Sequence, residues 1–177
     1  MATFKIEGTD LDLPRNLALL DSNILIAFAL ADEPQHAEAS IFLECKDEFV
    51  LGVAPPVIGE VCSFLIGKRK RRDRALWLVR WLLTPGNCVK LLPAPHNSDE
   101  DALSSYLRTD IDWMDAHGLD FVDSYLMHMA DTITETCKYR PDVVIVTSDL
   151  NDYLRCFKRG CQYRVYDISN NETYDPN

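Results

Sequence analysis

Positive charge is what this 177-residue chain has least of. Only 18 Lys and Arg stand against 28 Asp and Glu, a formal net charge of −10. Nucleic-acid binding through phosphate neutralisation favours the opposite balance, so any such role must first account for the acids. Long apolar runs are missing too, and none would span a bilayer. The opening "MATFKIEGTDLDLPRN" lacks a basic stretch followed by an apolar one, so no secretory signal is read there. Asn171-Glu172-Thr173 has the form of a glycosylation acceptor, but without secretion that reading lapses. The six cysteines (45, 62, 88, 137, 156, 161) form no C-x-x-C pair, which argues against a zinc ribbon or a dithiol centre. They read as reduced, buried thiols of a cytoplasmic protein. The four histidines show no H-E-x-x-H, and His128 in "LMHMA" reads as packing. There is no G-x-G-x-x-G. Gly67-Lys68 is followed by Arg69 where a P-loop needs Ser or Thr.

What remains is an ordinary globular composition, 47% hydrophobic and 26% charged. The length favours one domain, placed at 1–167. Within it 1–16 is an N-terminal extension and 93–119 a loop and insert; 168–177 is a flexible tail. Apolar periodicity gives strands at Leu17–Leu20, "FVLGVA", "CVKLL", "DVVIVTS" and "QYRVYDI". Helical stretches separate them: Ile24–Leu30, "PQHAEASIFLECKDE", "PPVIGEVCSFLIG", "RRDRALWLVRWLL", a long region interrupted at Gly118, and "LNDYLRCFKRG". Such alternation predicts an α/β fold with a mainly parallel sheet.

In parallel sheets, ligands gather beyond the carboxyl ends of the strands. Asp21, in "LLDSNILIAF", follows the first strand, and Ser148-Asp149 follows "DVVIVT". Each has a plain reading as a helix cap. Glu60 lies in an otherwise apolar helix, and Asp123 sits one turn into another. Glu60 could answer a buried Arg, and Asp120 and Asp123 could serve the helix dipole. One common cause covers all four acids, namely a hard divalent cation such as Mg²⁺ with oxygen ligands. A haloacid-dehalogenase phosphatase would need a second Asp two positions after Asp21, where Asn23 stands.

In "LLDSNILI", "GEVCSFL", "FVDSYLMHMA" and "VIVTSDLNDY" the chain resembles the PIN domains, metal-dependent ribonucleases that include the VapC toxins. The resemblance covers roughly residues 17–166 in order and spacing. Ser124 stands where that family usually has Ala. The final strand carries the family's T-x-D and a further acid before an aromatic. The resemblance implies a three-layer α/β/α sandwich, often dimeric, that hydrolyses RNA phosphodiesters. It makes Asp21, Glu60, Asp123 and Asp149 the catalytic and Mg²⁺- or Mn²⁺-binding tetrad. Asn23 and Ser148 become polar supports, with Asp120 and Asp152 further out or structural. RNA is the expected substrate, and an antitoxin and a second copy of the chain are the expected protein partners. The extra length at 1–16 and 98–119 departs from the short toxins. The rival reading keeps the fold as a protein-interaction module without nuclease activity.

Two surface features complete the expectations. "GKRKRRDR", residues 67–74, holds six of the 18 basic residues, so Lys68, Arg69, Arg71 and Arg72 are the expected RNA contacts. Trp77 and Trp81 lie four apart on one helix, as ordinary core or as a homodimer face.

Overall fold

The computed structural model describes residues 2–6, 9–13, 16–44, 49–92, 100–136, 142–157, 161 and 163–176. Ala2–Ile6 (β1) and Thr9–Leu13 (β2) pair antiparallel as a separate two-stranded sheet within the expected extension. Asn16–Leu20 (β3) follows, buried from Leu17 to Leu20. A strand apolar at successive positions must be covered on both faces, and this one is central.

Ser22–Ala29 (α1) and His36–Glu44 (α2) lead to Val50–Val53 (β4). Pro55–Ser63 (α3) opens with proline at its first turn, where a missing N–H costs nothing. The expected helix to Gly67 ends differently: Phe64–Lys68 forms a π-helical turn, closed by Arg69 N–H on the Phe64 carbonyl at 3.0 Å. Arg72–Leu82 (α4) and Val89–Leu91 (β5) come next. The predicted loop at Pro93–Asp101 falls mostly outside the described residues. Glu100–His117 (α5) ends at Gly118, whose φ of +66° stops the helix without the Cβ strain another residue would meet. Phe121–Thr136 (α6), Asp142–Thr147 (β6), Leu150–Phe157 (α7) and Arg164–Asp167 (β7) complete the predicted series.

One expectation needs correcting. The segment 168–177, read as a flexible tail, contains Glu172–Tyr174 (β8), which pairs antiparallel with β7. Its polar residues suit a solvent-facing edge, where no apolar alternation is required.

The main sheet runs β5-β4-β3-β6-β7-β8, parallel except at β8. From β3 the chain moves outward through β4 to β5, then returns to β6 on β3's other side. Right-handed crossovers therefore put α1 to α4 on one face and α5 to α7 on the other. The result is the expected α/β/α sandwich. Strand order reverses between β3 and β6, which marks their carboxyl ends as the place for a site. Gly52 on β4 leaves room for leucine side chains packed over the strand. A Cβ there would meet side-chain atoms of Leu92, Leu17 and Leu19 at 3.0–3.1 Å. Among the described residues no helix is long and apolar enough to cross a membrane.

Candidate active site at the ends of β3 and β6

Asp21 leaves β3 as the N-cap of α1, and its backbone N–H still bonds the Val146 carbonyl of β6 at 3.1 Å. Its carboxylate is 3% exposed. One oxygen accepts from the Ser22 N–H at 2.5 Å. The other accepts from Asn23 Nδ2 and Thr147 Oγ1, each at 2.8 Å. The capping role and a place in a deeper cluster thus coincide in one side chain.

Thr147, the last residue of β6, is a junction. Its hydroxyl donates to Asp21 and accepts from Asn23 Nδ2 and from the Asp149 N–H, both at 2.9 Å. Asn23 Oδ1 accepts the Ser148 N–H at 3.1 Å. The two strand-to-helix turns are therefore laced together through Asn23 and Thr147. Ser148 takes part through its backbone.

Asp123 arrives from the other helical layer. Asp120 caps α6 by accepting the Asp123 N–H at 2.9 Å, which fixes Asp123 in the first turn. The Tyr153 hydroxyl, fully buried on α7, donates to Asp123 Oδ1 at 3.0 Å and lies beside the Asp21 carboxylate. Burial raises the Asp21 carboxyl to about 6, and the nearby Glu60 charge pushes the same way against the bonds from Thr147, Ser22 and Tyr153. Asp123 is raised to about 8, by burial first and then by the charges of Asp21, Asp120 and Asp152. Burial and the same two carboxylates hold the Tyr153 hydroxyl well above its usual range.

The structure thus brings Asp21, Asp123 and Glu60 into one electrostatic cluster, with Asp120 and Asp152 at its margin. Asp152 is also bridged by Arg155 at 3.2 Å. Asp149 is exposed and joins the network through its backbone N–H. Among the described residues no Lys, Arg or His forms an ion pair with Asp21, Glu60 or Asp123. Among the described residues no buried Arg answers Glu60. Nor do three His, Cys, Asp or Glu side chains among the described residues stand in ligand range of a single point. The donor chemistry nonetheless fits a hard cation. It is all oxygen, it is acidic, and its members repel one another with no positive side chain among the described residues paired to Asp21, Glu60 or Asp123.

Thr147 and Tyr153 were given no role by sequence reasoning. The strand-end threonine and the aromatic after Asp152 were visible as pattern, yet nothing in the pattern said that their hydroxyls would meet Asp21 and Asp123.

The basic stretch is partly spoken for. Arg69 bridges Asp32 at 2.5 Å and Glu33 at 3.1 Å, and Arg71 bridges Asp73 at 3.0 Å. Lys68 sits over the Phe64 ring, and Lys70 and Arg72 are exposed. Trp81 packs against the core with Phe28 at 4.7 Å between ring centroids, while Trp77 is 38% exposed. His128 packs under Trp113 as expected, and also bonds the buried Asp110 at 2.8 Å. Of the cysteines described, Cys161 is buried, Cys62 half-buried and Cys88 exposed, all as free thiols. A cavity of about 580 Å³ opens elsewhere, between α2 and β6 to β8, with Phe42, Phe49, Tyr166 and Ile168 in its walls and none of the four acids.

Solved structures that resemble this fold include two of known source. VapC20 of Mycobacterium tuberculosis, described as a sarcin-ricin loop cleaving toxin, superposes with a TM-score of 0.57 at 16% identity, over 77% of this chain and 93% of that one. FitAcB of Neisseria gonorrhoeae gives 0.53 at 13% identity, over 86% and 98%. No curated protein sequence matches. The PIN domain family model matches residues 18–151, a span that holds the last three residues of β3, all of β6 and all four acids. The chain belongs to the PIN domain family.

Proposed function

We propose that this chain is a metal-dependent endoribonuclease acting by hydrolysis of RNA phosphodiester bonds. The observation that carries this reading is the pair Asp21 and Asp123. They come from opposite helical layers, have raised pKa values and flank one buried tyrosine hydroxyl, with no ion pair to a basic side chain among the described residues. Metal-free, the pair is electrostatically unfavourable, and a divalent cation is the simplest partner that relieves it.

Asp21 and Asp123 would hold Mg²⁺ or Mn²⁺, with Glu60 and Asp149 completing the set. When bound, such an ion polarises a phosphate and acidifies water for in-line attack. The chain's own groups do the positioning. Thr147 and Asn23 restrain Asp21, while Asp120 holds the first turn that carries Asp123.

Lys68, Arg69, Arg71 and Arg72 would meet the RNA backbone. Because Arg69 and Arg71 are engaged with acids, the attraction would fall chiefly on Lys68, Arg72 and the neighbouring Lys70. Lys68 lies eight residues beyond Glu60 along the same helical run, roughly 12 Å. That is close enough to hold a flanking nucleotide rather than the reacting phosphate.

The likeness to a toxin, VapC20, supports a toxin role; a protein antitoxin as partner and a cytoplasmic setting belong to the same proposal. An interaction module without nuclease activity would have no need of all four acids, and all four are present.

The test is cleavage of RNA by the purified protein with Mn²⁺, with EDTA, and with Asp21→Asn. Cleavage that needs Mn²⁺ and disappears in the variant supports the reading. EDTA-resistant cleavage, or an Asp21→Asn protein as fast as wild type, overturns it.

A further inference from the structure

The family pattern asks only for an aromatic after Asp152. Here the aromatic is a tyrosine, and its hydroxyl reaches the centre of the acid cluster. Tyr153 is fully buried, so its ring belongs to the core. A phenylalanine would fill nearly the same volume. The hydroxyl is therefore the informative part.

The hydroxyl donates to Asp123 Oδ1 at 3.0 Å. The bond leaves Oδ2 as the carboxylate oxygen without a hydrogen bond from the chain among the described residues. The same hydroxyl also lies beside Asp21, which already receives Ser22, Asn23 and Thr147. Asp21 would be held in place without the tyrosine. Asp123 would not, because its bond with Asp120 is donated by its backbone N–H and leaves the side chain untouched. A carboxylate with two free χ angles, held at one oxygen, keeps a single orientation. Released, it can rotate away from a neighbour of like charge, which mutual repulsion favours.

We infer that Tyr153 is a positioning residue, whose hydroxyl holds the Asp123 carboxylate beside Asp21 with one oxygen left for a divalent cation. The inference rests on the reading of Asp21 and Asp123 as metal ligands. It adds that this chain sets the ligand geometry with a buried hydroxyl carried on a third helix, α7. Groups that orient ligands in this way typically change metal affinity by about 10- to 100-fold when removed.

The test is Mn²⁺ binding by calorimetry to wild type and Tyr153→Phe, alongside the melting temperature of each in EDTA. The expected result is a Kd raised by about 10- to 100-fold in Tyr153→Phe, in a protein that still melts cooperatively. In an Asp123→Asn background the same change should have little further effect, because the group it orients is already altered. A purely structural tyrosine would lower the melting temperature and leave the Mn²⁺ Kd unchanged, and that outcome overturns the inference alone. Wild type that binds no Mn²⁺ overturns the metal reading and this inference together. A second measurement needs no variant. Mn²⁺ added to wild type should perturb the near-ultraviolet band of a buried tyrosine, and binding that leaves the band unmoved counts against the role.

Discussion

Raising the pH should weaken the metal-free protein. An unfolded aspartate ionises near 4, whereas the folded chain keeps the Asp21 proton to about 6 and the Asp123 proton to about 8. Between those limits the folded state binds more protons than the unfolded state, so stability is greatest at the acid end and is lost as pH rises through the folded values. Asp21 is 3% exposed, and its shift of about two units corresponds to roughly 3 kcal/mol in full. A scan from pH 5 to pH 9 starts only one unit below its folded value and so captures about 1.4 kcal/mol. For a chain of this length that is a drop of roughly 3–6 °C. Half-buried Asp123 adds to the fall in the same direction. The assay is thermal unfolding in EDTA at several pH values, for wild type and for the double variant Asp21→Asn/Asp123→Asn. The variant loses hydrogen bonds and shifts in absolute stability, but its slope should be close to flat. Excess Mn²⁺ at pH 9 should return stability to wild type, because it binds only the folded cluster. A wild-type melting temperature that is flat or rises from pH 5 to pH 9 would refute the account. So would a double variant with the wild-type slope.

Four further outcomes are expected. Asp123→Asn should abolish Mn²⁺-dependent cleavage while circular dichroism stays native, and residual cleavage near wild type would remove Asp123 from the site. Replacing Lys68, Lys70 and Arg72 by Ala should flatten the salt dependence of single-stranded RNA binding by roughly 0.7 per lost contact, evenly across sequences. An unchanged slope would make the run solvated surface. His128→Ala leaves buried Asp110 without this hydrogen bond and should cost about 1–3 kcal/mol, read from urea unfolding; a cost well under about 1 kcal/mol would show that Asp110 finds another partner. Light scattering after size exclusion should show a dimer, with half-exposed Trp77 as its first candidate contact, and a monomer at high concentration would exclude that face.

The parts of this architecture that depend on local pattern were legible in the sequence. Leu17 to Leu20 and Val143 to Val146 are continuous apolar runs, so both central strands announce themselves. Asp21 and Asp149 stand out because a polar group directly after such a run falls at the ligand-binding end of a parallel sheet. Contacts between distant segments were not legible. Nothing in "VIVTSD" says that Thr147 will meet a residue 126 positions earlier. Tyr153 occupies a helix position that any aromatic could fill, and periodicity does not register its hydroxyl. Arg69 looks like free positive charge until the turn carrying Asp32, 37 residues away, folds against it. The strand β8 was missed because "ETY" at a solvated edge carries no alternating apolar signal.

The long separation between β3 and β6 also has a consequence in time. A ribosome releases β3 among the first elements and β6 only after about four fifths of the chain. Until Asp142–Thr147 emerges, one edge of β3 has no partner strand. Asp21 has no Thr147 to fix it, and Asp123 waits for Tyr153, which comes later still. Nascent chains therefore carry the acids long before they carry the cluster. Closing the sheet and assembling the site become the same late event, with slow, non-local pairing as its rate-setting step. For a nuclease of the kind proposed, this order keeps the chain harmless to the message from which it is being translated.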